Sequence, residues 1–328
     1  MFKPRLAGTA GARHARGLRM AMEFPKPLSA ATRLVAVFGQ PIRHSASPAM
    51  QNAGLATLGL DWRYVACEVP PEQLAMALAG AKVMRFAGVN LTLPHKLLAV
   101  PLMDELDESA RQWGAVNTVV FEAEDAEGLW RPVGQLREFS GPIRARGYNT
   151  DADAFARSIG EDLQWEIRSS RVLLLGAGGA GRTAALRLAD EGVSELYLVN
   201  RTMAKAEELK REVEERFPAV AAHVGYPDAE VELVLNATSL GLKRGDTLPF
   251  DLGRFDLRRA DVAYDMVYRP SETPFLAAAR AAGLRTANGI GMLLYQGAAA
   301  LALWTGKEAP VVAMRSALRR EIYGEAWE

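Results

Sequence analysis

The residues of this chain that could do chemistry sit where apolar runs stop. The stretch "VNLTLPHK", residues 89–96, begins as a strand whose alternation sets Asn90 and Thr92 on one face and Val89, Leu91 and Leu93 on the other, and it ends at Lys96. Ser45 and Ser47 follow an earlier apolar run, Asn117 and Thr118 open another, and Asn149, Thr150 and Asp151 close a third. Each has a bland alternative. Ser47 reads equally as a helix N-cap with Pro48 behind it. Asp151 reads as an N-cap, and Lys96 as a solvated lysine of a first helical turn. Capping needs only one serine, however, which leaves Ser45 over. Taken together, hydroxyls, amides, one lysine and one aspartate at strand ends suit a small polyhydroxylated substrate rather than an apolar one.

A second set is built from glycine. Gly176, Gly178, Gly179, Ala180 and Gly181 lie in "GAGGAG", a match to G-x-G-x-x-G. The pattern alone is weak, and a tight turn without a ligand is its alternative. Here it follows an apolar strand and opens a helix, the context that lets backbone N–H groups approach a pyrophosphate at a positive helix N-terminus. Dinucleotide folds that take NAD usually carry an acid at the end of the next strand. This chain has Asn200, Arg201 and Thr202 there, with Lys205 one turn on. A guanidinium and an ammonium suit a 2′-phosphate, so NADP is favoured over NAD; the alternative is that Arg201 is a plain surface charge.

The elements that must position these residues follow a βαβ rhythm. Strands are expected at 33–39, 62–69, 89–93, 115–122 and 144–151, helices at 47–59, 71–84 and 95–114, and a long hairpin loop at 123–143. A second series has strands ending near 175, 202, 239, 268 and 289. A helix over 151–163 divides the two, and an amphipathic helix over 309–324 is expected to pack back on the first unit. The chain of 328 residues is thus read as two α/β domains. Residues 31–151 with 309–328 form a mostly parallel substrate domain, 152–308 a Rossmann domain, with a cleft between them. Residues 1–30 read as a disordered extension.

Bulk composition narrows the classes. Lys plus Arg and Asp plus Glu are 39 each, without the basic excess of a general nucleic-acid binder. No apolar run is long enough for a membrane helix. The single Cys67 excludes an internal disulfide and fits a reducing, cytoplasmic setting. The four histidines have no metal-ligand spacing, so no protein-bound metal is expected.

The segments "GQPIRHSASPAMQN", "GVNLTLPHK", "GAVNT", "GYNTD", "GAGGAGR", "NRT", "NATSLGL", "YDMVY" and "NGIGMLLYQGA" occur in one order along residues 34–305. In that order they resemble shikimate dehydrogenases. The resemblance implies that Ser45 and Ser47, with Tyr268, hold a substrate carboxylate. It implies that Asn90, Thr92, Asn117 and Gln296 bind ring hydroxyls, and that Lys96 and Asp151 form the catalytic pair. It gives the 2′-phosphate of NADP to Asn200, Arg201, Thr202 and Lys205, and sets Thr238, Met266 and Gly289 on the cofactor side. The implied reaction is reversible reduction of 3-dehydroshikimate to shikimate by NADPH, a step towards chorismate and the aromatic amino acids. Within that superfamily two serines at the carboxylate site go with shikimate, and a threonine second favours quinate; Ser47 therefore points to shikimate.

Ketone reduction needs a hydride on carbon and a proton on oxygen. Nicotinamide supplies the first, and a protonated lysine oriented by an aspartate suits the second. By this scheme His95 is not needed as an acid or base. The chain departs from the family in its longer 124–143 segment, in Ala152 and Ala154 where glycines are usual, and in its N-terminal extension. Competing readings are a quinate/shikimate dehydrogenase, a paralogue with a related substrate, and a non-catalytic NADP(H) sensor, which would be expected to lack Lys96 or Asp151. Monomer and homodimer are both open.

Overall fold

The protein is described by a computed structural model that covers residues 27–324 except residue 244. The expected extension lies outside the described residues as far as residue 26. Short β-branched runs become strands and the Ala- and Leu-rich stretches between them become helices: β1 (Arg33–Gly39), α1 (Ser47–Thr57), β2 (Trp62–Glu68), α2 (Leu74–Val83) and β3 (Gly88–Leu91). Then come α3 (His95–Leu98), β4 (Glu105–Leu106), α4 (Glu108–Trp113), β5 (Thr118–Glu124), β6 (Trp130–Pro132) and β7 (Ile143–Tyr148). The first sheet runs β2-β1-β3-β5-β7-β4, with β6 paired to β5. Only β5 opposes its neighbours β3, β6 and β7, so the other strands share one direction.

Three local expectations need correction. Residues 95–114 are not one helix but α3, a 3-10 turn at Val100–Leu102, β4 and α4. Pro101 has no N–H to continue a helix. Asp107 restarts it by accepting from the Ser109 N–H at 3.1 Å, and Gly114, at φ 64°, ends it. The 123–143 segment is not a plain loop. It holds β6 and a 3-10 turn, Val133–Gln135, pinned by the Arg33 guanidinium donating to the carbonyls of Val133 and Leu136. The strand at 89–93 stops at Leu91, and Leu93 is 72% exposed instead of core-facing. The chain turns there, with His95 N–H donating to the Thr92 carbonyl.

The second unit follows α5 (Asp151–Leu163). Its elements are β8 (Arg171–Leu175), α6 (Gly179–Asp190), β9 (Glu195–Val199), α7 (Met203–Arg216), β10 (Ala221–Val224), β11 (Val231–Asn236), β12 (Ala260–Asp265), α8 (Pro274–Ala281) and β13 (Arg285–Asn288). The sheet is β10-β9-β8-β11-β12-β13, parallel throughout. This is the dinucleotide-fold order, with its switch point between β8 and β11. β10 was not expected from sequence: four residues rich in Ala, one of them His, carry little strand signal.

Helices α9 (Ile290–Thr305) and α10 (Val311–Tyr323) return to the first unit. Leu294, Leu301 and Trp304 of α9 and Met314 and Leu318 of α10 join its core. Packing therefore groups α9 with the first unit, whereas the sequence division at 308 grouped it with the second. The reason is that the buried side chains of α9 enter the first core, and only Met292, partly buried, packs on the second as well. Helix α5 also serves both cores. Ala152, Phe155 and Ile159 enter the second and Ala154 the first. Trp113 of α4 crosses into the second core as well.

Candidate active site

One cavity of about 330 Å³ opens between the two units. The first unit contributes Ser45 and Ser47 beyond β1, Asn90 and Thr92 at the end of β3, Lys96 on α3 and Asn117 ahead of β5. Asp151 comes from the first turn of α5, Gln296 from α9 and Tyr268 from beyond β12. All nine side chains singled out for substrate and catalysis thus meet around one space. Met266 and Gly289, expected on the cofactor side, form part of the same wall.

Neither capping alternative describes the structure. The N-cap of α1 is Ala46 without a side-chain bond, and Ser47 is already helical. The Ser45 hydroxyl accepts from the Ser47 N–H at 3.3 Å. At α5 the first N–H groups go elsewhere: Asn149 Oδ1 accepts from Asp151 and Ala152 at 3.1 and 3.3 Å. That frees the Asp151 carboxylate, which accepts from Lys96 Nζ at 2.8 Å. The lysine side chain is 30% exposed and the aspartate 10%, so the pair is at the cavity surface yet screened from bulk water on the aspartate side.

The amides are oriented by a buried network. Tyr64 donates to Asn90 Oδ1 at 2.8 Å, and Asn90 Nδ2 donates to Thr118 Oγ1 at 2.9 Å and to the Asn117 carbonyl at 3.2 Å. Asn117 Nδ2 donates to Thr150 Oγ1 at 2.9 Å, while its Oδ1 accepts the Thr150 N–H at 2.8 Å. With both Nδ2 hydrogens committed, Asn90 has acceptor capacity left for a ligand hydroxyl, and Asn117 has one N–H left to donate. Burial pushes the Tyr64 phenol far up, so it stays a donor. Tyr64 was missed in the sequence because it sits inside an apolar strand; its polar tip was the available signal. His95 is fully buried, with Nε2 2.9 Å from the Val69 carbonyl. Burial lowers its pKa, so it is a neutral ring tied to backbone and not on the cavity wall.

The nucleotide side is made of backbone. Gly176 has φ 105°, and a Cβ there would lie 3.0 Å from the Ala237 backbone. A Cβ on Gly181 would stand 2.0 Å from the Gly176 carbonyl oxygen. Gly178, Gly179 and Ala180 are exposed at the N-terminus of α6. Thr238 closes the opposite side of the turn, its methyl in the space a Gly176 side chain would need. Asn200 is tied to backbone but keeps one N–H to donate: it accepts from the Ala177 N–H at 3.0 Å and donates to the Thr202 carbonyl at 2.8 Å. It shapes the two turns, leaving Arg201, Thr202 and Lys205 exposed beside them. A glycine cradle, an open helix N-terminus and two exposed cations fit a phosphorylated dinucleotide. Among the described residues, no cluster of three or more His, Cys, Asp or Glu could hold a metal.

Known proteins resemble this chain in sequence and fold. The descriptions "Shikimate dehydrogenase substrate binding domain", "Shikimate / quinate 5-dehydrogenase" and "Shikimate 5'-dehydrogenase C-terminal domain" match residues 37–119, 156–239 and 289–319. A shikimate dehydrogenase (NADP(+)) of Geobacter metallireducens is 42% identical over 292 residues, which is 87% of this chain and 95% of that protein. The chain belongs to the shikimate dehydrogenase family. The family's fold is two-domain α/β, as here. Shikimate 5-dehydrogenase from Thermus thermophilus, solved with NADP(H) and shikimate, superposes with a TM-score of 0.72 at 36% identity, covering 88% of this chain and 99% of that one. Quinate dehydrogenase from Corynebacterium glutamicum, solved with NAD, gives 0.73 at 31% identity, covering 87% and 98%. The family fold thus serves relatives with different substrates and cofactors, and side chains must make the choice.

Proposed function

We infer that this chain is an NADP-dependent shikimate dehydrogenase, an oxidoreductase that reversibly reduces 3-dehydroshikimate to shikimate. The observation that carries the reading is the 2.8 Å Lys96–Asp151 pair set in a cavity walled by hydroxyls and amides. The cofactor, when bound, supplies or accepts the hydride. The protein's residues manage the proton. In reduction the Lys96 ammonium hydrogen-bonds the ketone oxygen, offsets the charge growing there and delivers a proton to it. In oxidation the neutral amine takes that proton from the alcohol. Asp151 holds the lysine and keeps it aimed. We assign the carboxylate to Ser45, Ser47 and Tyr268, and the ring hydroxyls to Asn90, Thr92, Asn117 and Gln296. Gly176, Gly178, Gly179, Ala180 and Gly181 cradle the pyrophosphate. Asn200, Arg201, Thr202 and Lys205 take the 2′-phosphate, Asn200 also bracing the turns that carry it, and Thr238, Met266 and Gly289 complete the cofactor side.

We place the enzyme in the cytoplasm, where a lone thiol such as Cys67 stays reduced. Following NADPH absorbance with 3-dehydroshikimate, and NADP⁺ or NAD⁺ reduction with shikimate and with quinate, tests the reading. The expected ranking by kcat/KM is shikimate with NADP⁺ first. A higher kcat/KM on quinate would move the chain to the sister activity, and no turnover would leave a sensor.

A further inference from the structure

Asp265 is a fully buried carboxylate that no step above uses. It ends β12 and does not line the cavity. Three donors meet it. Asn236 Nδ2 and the Val267 N–H donate to Oδ1, both at 2.9 Å, and Thr273 Oγ1 donates to Oδ2 at 2.5 Å. A lone carboxylate in such a place is costly, and burial raises its pKa to about 6 against the pull of these three bonds. An apolar residue there would avoid the buried charge but strand three donors, so the carboxylate serves to join the groups that meet it.

Its partners lead to both sides of the cleft. Towards the nucleotide, Asn236 uses its other end, Oδ1, to accept the Thr238 N–H at 3.0 Å and the Thr238 hydroxyl at 2.8 Å. Thr238 in turn packs on Gly176, the first glycine of the phosphate turn. Towards the substrate, Val267 lies between Met266 and Tyr268, both on the cavity wall. The Met266 N–H donates to the Asn236 carbonyl at 2.9 Å, so the two arms share one residue pair. Thr273 also caps α8 by accepting the Leu276 N–H at 3.2 Å, which fixes the far end of the loop that carries Tyr268.

We propose that Asp265 is a positioning residue that fixes the nucleotide turn and the substrate wall in register with each other. It touches neither ligand. It acts through Asn236 and Thr238 on one side and through Val267 on the other. Loss of its acceptor oxygens frees both walls together, weakening both ligands while leaving the Lys96–Asp151 pair intact.

The inference rests on the reading of the cavity as a shikimate and NADP site, and the test separates the two. Parent turnover of 3-dehydroshikimate with NADPH tests that reading. The variants Asp265→Leu and Asp265→Asn are then compared with the parent by KM for each ligand, by kcat at saturation, and by direct titration of NADPH and shikimate, which needs no turnover. In Asp265→Leu an unsatisfied buried donor on each arm is expected to raise both KM values about tenfold, with kcat within about threefold. Asp265→Asn keeps an acceptor for Val267 and Asn236, and is expected to raise both by only about two- to fivefold. A residue with a merely structural role would lower the melting temperature and the active fraction and leave both KM values in place. If Asp265→Leu does not fold, Asp265→Asn decides alone. A variant with both ligand affinities unchanged, or with only one changed, overturns the proposal.

Discussion

The two walls of the cleft recognise by different means. On the substrate wall Asn90 and Asn117 are already bonded into one buried network with Tyr64, Thr118 and Thr150. Their spare donors and acceptors are fixed before any ligand arrives. The nucleotide wall is made of glycine backbone and helix N-terminus, with Arg201 and Lys205 exposed beside it. A network of satisfied side chains discriminates, because a misplaced hydroxyl strands a buried partner. Open backbone N–H groups and surface cations attract phosphate with little regard for what it is attached to. Selectivity for the hydroxylated ring of the substrate should therefore lie in the first unit, and cofactor choice in a few exposed charges of the second.

The largest break in this comparison comes from Lys96→Ala. It is expected to lower kcat by about 10² to 10⁴-fold with little change in the KM for 3-dehydroshikimate. Steady-state kinetics reads it, and a kcat within about tenfold of the parent would remove Lys96 from the chemistry. Gly181→Ala strikes the other wall, where its Cβ would meet the Gly176 carbonyl oxygen at 2.0 Å. Overpacking of this kind costs about 1–3 kcal/mol, and where the phosphate turn shifts to relieve it the loss in NADPH affinity is about 5- to 150-fold. Shikimate binding by calorimetry should be unchanged; a joint loss would mean that the walls are not independent at this position. Arg201→Ala should cost NADPH about tenfold and NADH little, and the difference should shrink as salt rises, because the guanidinium is exposed. Equal losses for the two cofactors would place the 2′-phosphate elsewhere. The smallest effect is expected from His95→Gln, which keeps a donor near the Val69 carbonyl. Turnover should stay within about threefold, and a collapse like that of Lys96→Ala would mean the neighbouring residue carries the proton.

Much of the molecule could be read from the chain. The glycines of 176–181 declare themselves because backbone conformation and close approach exclude other residues there. Regular apolar strands gave the second sheet all but β10. The segment 95–114 could not be read as easily, since its helix-forming composition is overruled by Pro101 and by the Asp107 cap. Position 93 misled because strand alternation fails where a strand stops.

The amino-acid sequence by itself determined the α/β class, the dinucleotide turn, the charges beside it and the inventory of polar side chains for a hydroxylated substrate. These follow from local rules of period, conformation and charge. Only the tertiary structure decided what those side chains are free to do. Asn149 takes the helix cap and so releases Asp151 to Lys96. Asn200 braces two turns through backbone bonds while Arg201 stands exposed. Tyr268 and Gln296 share a cavity with Ser45 and Lys96 because α9 and α10 fold back onto the first core. These are contacts between distant segments, and they exist only once burial has made each buried donor and acceptor find a partner.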